Sequence, residues 1–170
     1  MGDAPDGIET VRTSFDDPRA APLLRDLERE YVSRYGPGAT QEMSRYPLVR
    51  FTPERGGAFL LLLADGEAVA GGAYMRDENG DAEVKRMWTR ADHRRRGLAG
   101  RVLRELEADA RDRGYRRMVL STGWAQPEAV RLYVAAGWTP DVDLEGDWRE
   151  RGWVSFHREL DPARPSGTSG

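Results

Sequence analysis

Three apolar segments separated by two short turns fill residues 58–89, and they constrain the fold more than any other feature of the chain. Ala58 to Ala64 and Ala68 to Met75 flank Asp65-Gly66-Glu67, a hairpin signal. Asp77-Glu78-Asn79-Gly80 then turns the chain into Ala82 to Thr89. Three strands therefore run in antiparallel succession. Gly97 to Gly114 follows as an amphipathic helix, with Leu98, Val102, Leu103, Leu106 and Ala110 on one stripe. A glycine-rich turn after such a run is not the first turn of a parallel dinucleotide-binding unit.

The flanking segments complete an α/β pattern. Ile8 to Phe15 reads as a first strand, and Asp17-Pro18 as the cap and first position of a helix. Leu23, Leu24, Leu27 and Tyr31 carry that helix to Tyr35, where Gly36-Pro37-Gly38 stops it. Residues 36–57 read as a long loop, of the kind that often carries function. Arg117 to Ser121 is a strand, Pro127 to Ala136 a helix ended by Gly137, and Trp153 to Leu160 a closing strand. The expected order is β-α-β-β-β-α-β-α-β(-β) on a mixed sheet. Residues 7–160 form one expected domain, with disordered ends at 1–6 and 161–170.

Composition excludes several chemistries. The chain has no cysteine, which removes thiolate nucleophiles, disulfides and Cys-ligated zinc. His93 and His157 are its two histidines, too few for a multi-histidine metal site, and no metal is expected. Lys plus Arg is 26 against 29 Asp plus Glu, a net charge of −3, which argues against a general nucleic-acid binder. No apolar run is long enough for a membrane span, and Met1 to Gly7 does not look like a signal peptide. The expectation is a cytoplasmic protein without membrane or nucleic-acid partners.

The segment Arg94-Arg95-Arg96-Gly97-Leu98-Ala99-Gly100 carries the chemistry. Three arginines at a helix N-terminus oppose the positive end of the helix dipole, and a bound polyanion would resolve that conflict. First-turn amides next to small residues could seat a pyrophosphate; a solvated basic turn is the plain alternative. Neither the G-x-G-x-x-G spacing nor a G-K-[ST] phosphate loop is present.

Here the chain resembles the GNAT superfamily, the Gcn5-related N-acetyltransferases, whose signature is [QR]-x-x-G-x-[GA] at a strand–helix junction. Arg94 to Ala99 fits every fixed position. Ala82 to Thr89 is similar to that family's fourth strand. Gln126-Pro127-Glu128-Ala129-Val130-Arg131-Leu132-Tyr133, ending in Ala136-Gly137-Trp138, is similar to its second cofactor-binding helix. The resemblance implies a GNAT fold: a mixed central sheet of about six to seven strands with flanking helices, its fourth and fifth strands splayed.

It also implies acetyl-CoA as cofactor. The backbone of Met87, Trp88 and Thr89 would pair with the pantetheine arm like an added strand. Arg94, Arg95, Arg96, Gly97, Leu98, Ala99 and Gly100 would hold the phosphates. Gln126 stands where many members carry Asn, which puts a side-chain contact from 126 in doubt. Without cysteine there is no acyl-enzyme thioester, so an amine must attack the donor directly. Tyr133 is the family-matched general acid for the departing thiolate; a core tyrosine is the alternative from spacing alone. Glu83 is the candidate base, against a surface glutamate paired across the strand. Period two puts Glu83, Lys85 and Met87 on one face, and Val84, Arg86 and Trp88 on the other.

The acceptor site in this fold draws on the first helix, the following loop and the last hairpin. Those supply Tyr31, Tyr35 and Trp124 as candidate substrate-binding residues, with Arg45, Tyr46 and the acidic stretch Asp141 to Glu150 nearby. A small-molecule primary amine is the expected acceptor. Protein lysines or N-termini, or a non-catalytic acyl-CoA sensor, are the rivals. Homodimers are common in the family, although nothing in the sequence demands one.

Overall fold

The computed structural model describes residues 6–39, 46–123, 125–146 and 148–161. Seven strands build one sheet: β1 (Ile8–Arg12), β2 (Ala58–Ala64), β3 (Glu67–Arg76), β4 (Ala82–Thr89), β5 (Arg117–Gly123), β6 (Thr139–Pro140) and β7 (Trp153–Glu159). Three helices flank it among the described residues: α1 (Ala21–Tyr35), α2 (Leu98–Asp112) and α3 (Pro127–Ala135). The spatial order is β1-β2-β3-β4-β5-β7-β6. Every neighbouring pair is antiparallel except β4–β5. The expected mixed sheet is present.

β2 is buried on both faces because the sheet lies between two layers. Leu60 and Leu62 join Val102, Leu103 and Leu106 of α2, with Trp138 and Phe156, on one side. Phe59, Leu61 and Leu63 meet Leu23 and Leu27 of α1, with Phe15 and Phe51, on the other. Phe15 stacks on Phe59 at 4.0 Å between ring centroids, beyond the end of β1 at Arg12 and not within the strand as the sequence suggests. Asp17 accepts the Arg19 amide at 2.9 Å, so it caps a 3-10 turn at Pro18–Ala20 that leads into α1, rather than capping α1 itself. The loop 36–57 contains short 3-10 turns at Pro37–Ala39, Leu48–Phe51 and Pro53–Arg55.

Two features of β4 position the site. Its pairing with β5 covers only Ala82↔Met118 and Glu83↔Val119. Beyond Glu83 the two strands part, leaving the outward amides and carbonyls of β4 without a ladder partner in β5. On its other edge, β4 pairs Trp88 with Gly71 and Lys85 with Ala73, so Arg86 and Met87 together oppose Gly72. This is a β-bulge, and Arg86 adopts φ 60° there, a left-handed conformation rare outside glycine.

The bulge corrects the period-two assignment of β4. Val84 and Met87 pack with the α2 layer, whereas Trp88 belongs to the α1 layer. Arg86 also faces α1: its guanidinium lies 5.6 Å from the Phe51 ring and donates to the Tyr46 carbonyl at 3.3 Å. Lys85 and Arg86 are thus presented on the same side, and Met87 on the opposite one.

Gly71 and Gly72 let both layers close over the bulge. A Cβ on Gly71 would lie 2.8 Å from the Leu60 carbonyl oxygen and 2.8 Å from Leu23 Cδ1. Since the Leu60 backbone cannot yield without breaking the β2–β3 ladder, Gly71→Ala is expected to destabilise the protein by about 1–3 kcal/mol. Chemical denaturation compared with wild type measures this; equal midpoints would show that the sheet has more slack than its register implies.

Candidate active site

Where β4 leaves β5, two adjoining cavities open. The larger, about 500 Å³, lies between Met87–Thr89, the turn before α2, and the start of α3. The smaller, about 110 Å³, lies on the α1 side and is walled by Tyr31, Tyr46, Lys85, Arg86 and Thr122, among others. Glu30, Met87, Gln126 and Tyr133 line both.

The larger cavity is floored by the N-terminus of α2. Gly97 stands at the cap with φ 76° and no side-chain cap bond, and Arg95 is also left-handed at φ 64°. The first-turn amides of α2, at residues 98–100, have no acceptor within the helix. No acidic side chain occupies that first turn. Arg94, Arg95, Gly97, Leu98, Ala99 and Gly100 all line the cavity; Arg96 is exposed and does not. The arrangement suits an extended polyanion held by backbone donors and flanking cations.

Residues outside the sequence motif complete this cavity. Arg94 pairs with Glu30 of α1 at 2.6 Å, and Arg34 of α1 pairs with Glu128 of α3 at 2.5 Å. Arg34 also donates to the Ala125 carbonyl at 2.8 Å. His93 lines the cavity, with Nδ1 2.8 Å from Asp92, whose carboxyl Arg90 and His93 hold well below the usual carboxylate range. Their only sequence signal is proximity to the motif or helical spacing, because the contacts span α1, the β4–α2 turn and α3.

Tyr133 joins the two cavities. Its ring packs against Phe156 at 5.6 Å and Trp138 at 6.1 Å between centroids, as a core residue would. The same residue lines both openings. Burial raises the phenol above its ordinary value, with Tyr31 adding to the shift. The group therefore stays protonated. Gln126 sits just before Pro127, makes no side-chain cap bond, and accepts from Thr122 Oγ1 at 3.2 Å while lining both cavities. Trp88 is buried with Nε1 donating to Asp26 at 3.0 Å, so what it offers the cavity is backbone.

The remaining candidates divide. Tyr31 lines the smaller cavity. Tyr35 instead lies against Gly123, where a Cβ would collide with its hydroxyl. Trp124 and Arg45 lie outside the described residues. Glu83 lines neither cavity; its carboxylate lies 3.1 Å from Lys85 Nζ, and Lys85 does line the smaller one. Trp138 is core, donating Nε1 to Glu107 at 3.0 Å. In the acidic stretch, Asp141 is held by His157 Nδ1 at 2.7 Å. No helix among the described residues is long and apolar enough to cross a membrane.

Known proteins share this sequence pattern and this fold. The model of the acetyltransferase (GNAT) family matches residues 21–138. The uncharacterized N-acetyltransferase YsnE of Bacillus subtilis is 40% identical over 60 residues, which span 35% of this chain and 40% of that protein. A Klebsiella pneumoniae structure assigned as an acyl-CoA N-acyltransferase superposes with TM-score 0.71 at 24% identity, covering 91% of this chain and 98% of that one. A Salmonella typhimurium structure, yncA, assigned as an acetyltransferase and solved with its cofactor acetyl-CoA, superposes with TM-score 0.65 at 14% identity over 94% and 99% of the two chains.

Gly97 tests the anion seat. A Cβ there meets nothing within 4 Å, so any local cost of substitution is backbone strain. Gly97→Glu is expected to weaken coenzyme A binding by at least about tenfold, or ~1.4 kcal/mol, through its charge. Calorimetric titration beside Gly97→Ala separates charge from strain. Equal affinity of the two variants would mean that no phosphate sits at this turn.

Proposed function

The chain belongs to the GNAT acetyltransferase family, and we propose that it carries the acetyl group of acetyl-CoA directly to the primary amine of a small molecule within a ternary complex. The observation that supports this most is the meeting of the two cavities at Tyr133 in the opening between β4 and β5. A donor on the α2 side and an acceptor on the α1 side would meet there. The absence of cysteine leaves direct transfer as the route.

The chain's own groups divide the work. Acetyl-CoA supplies an activated acyl carbon and a thiolate leaving group. The amides of Leu98, Ala99 and Gly100, with Arg94 and Arg95, hold the phosphates. The backbone of Met87 to Thr89, unpaired on its β5 side, takes the pantetheine as an added strand. The Met87 amide donates to the acyl oxygen as negative charge develops there. Tyr133 gives its proton to the departing sulfur; burial keeps the phenol protonated until negative charge appears beside it. Glu83 takes the proton of the amine through water. Tyr31 and Tyr46 wall a cavity of about 110 Å³, a size that favours a small amine over a peptide, which would need an open groove.

Titration with acetyl-CoA, followed by a screen of amines for thiol release, tests the reading. Saturable binding with amine-dependent release supports it, and no binding refutes it. Tyr133→Phe is expected to lower kcat by about a hundredfold while leaving acetyl-CoA affinity unchanged. An unaltered kcat would remove Tyr133 from the chemistry and leave it a core residue.

A further inference from the structure

Lys85 is the only lysine in the chain, and its side chain lies in the cavity assigned above to the acceptor. It is largely buried, with its Nζ 4.1 Å from the centre of the Tyr46 ring and 3.1 Å from a Glu83 carboxylate oxygen. Its position on β4 is two residues before Met87, where the two cavities join. The bulge at Arg86 and Met87 turns Lys85 and Met87 to opposite faces of the strand, so Lys85 stands on the acceptor side. A tethered primary amine thus occupies the cavity in which a diffusing amine would react.

We infer that Lys85 is a self-acetylation site: with acetyl-CoA bound and no acceptor present, the protein transfers the acetyl group to its own Lys85 Nζ. The inference rests on the acetyltransferase reading above. Glu83 takes one proton from the ammonium and passes it to solvent. The free amine attacks the acyl carbon, an N–C bond forms, and the C–S bond breaks with its electron pair leaving on sulfur. The second amine proton ends on that sulfur, by way of Tyr133. The products are Nζ-acetyl-lysine, coenzyme A and one proton. The amide carries no charge, so the ion pair with Glu83 and the contact with the Tyr46 ring are lost on modification.

The test uses the full chain incubated with acetyl-CoA and no amine, followed by intact mass and peptide mapping. The expected result is one added acetyl group on Lys85, formed at least about tenfold faster than in urea-unfolded protein, because the amine is held beside the thioester. Excess coenzyme A should suppress it, and K85R should abolish it. A second readout needs no transfer by the protein. Trace labelling with acetic anhydride should show Lys85 protected severalfold by saturating coenzyme A, whereas unchanged labelling would place Lys85 away from the donor and overturn the inference. Failure to bind acetyl-CoA would overturn the acetyltransferase reading, and this inference with it. Binding with turnover on an external amine, but no mark on Lys85, would overturn this inference alone.

Discussion

β4 is paired along one edge and abandoned along most of the other, and the site depends on that asymmetry. Backbone donors and acceptors inside a protein need partners, whether protein, water or ligand. β3 satisfies one edge of β4 over its full length, apart from the bulge. β5 satisfies the opposite edge only at Ala82 and Glu83. The rest of that edge is a strand lacking its neighbour in β5, and Met87 to Thr89 of it line the larger cavity. The opening persists because both strands are anchored elsewhere: β5 by seven pairs to β7, and β4 by β3. Tyr133 and Gln126 stand at the gap without bridging it.

The α2 N-terminus supplies the second half of the constraint. Its amides and three preceding arginines place positive potential at one end of the unpaired edge. Glu30 partly answers it by holding Arg94, and Glu128 holds Arg34 across the cavity mouth. Arg94 and Glu30 are both exposed, so their pair is weak in water, and a phosphate drawing on Arg94 would displace only a modest interaction. An anion at this helix would therefore not have to break a strong structural contact first.

The fold was largely legible because its signals are local. Asp65-Gly66 and Asn79-Gly80 each place a left-handed residue where a tight turn requires one, and the apolar stripe of α2 fits a single face. The 94–100 motif could be read because one short segment holds Arg94, Arg95 and the first turn of α2, which line the larger cavity. The facing of β4 could not be read from period two, since the shift of register depends on a left-handed Arg86 opposite Gly72. Arginine does not announce that conformation, and the signal is a glycine on a different strand. The pairing of Lys85 with the Tyr46 ring joins β4 to a distant loop, and no spacing within the strand reveals it. The contributions of Glu30, Arg34 and Glu128 are tertiary, and no spacing within one helix reveals them.

Under the proposed reaction, the structural and functional readings of Tyr133 do not compete. Its ring is fixed by Phe156 and Trp138, and Trp138 is fixed in turn by Glu107. The Trp138 amide also bonds back to the Tyr133 carbonyl at 3.0 Å, just after Gly137 turns the chain with φ 86°. A phenol on a mobile side chain would lose much of its value as a proton donor, because the proton must be within hydrogen-bond reach when charge appears. Packing the ring as core holds the side chain in one place. The apolar spacing that makes the residue look like part of the core and its place at the junction of two cavities are therefore one arrangement: the core supplies the precision, and the parting of β4 from β5 supplies the access.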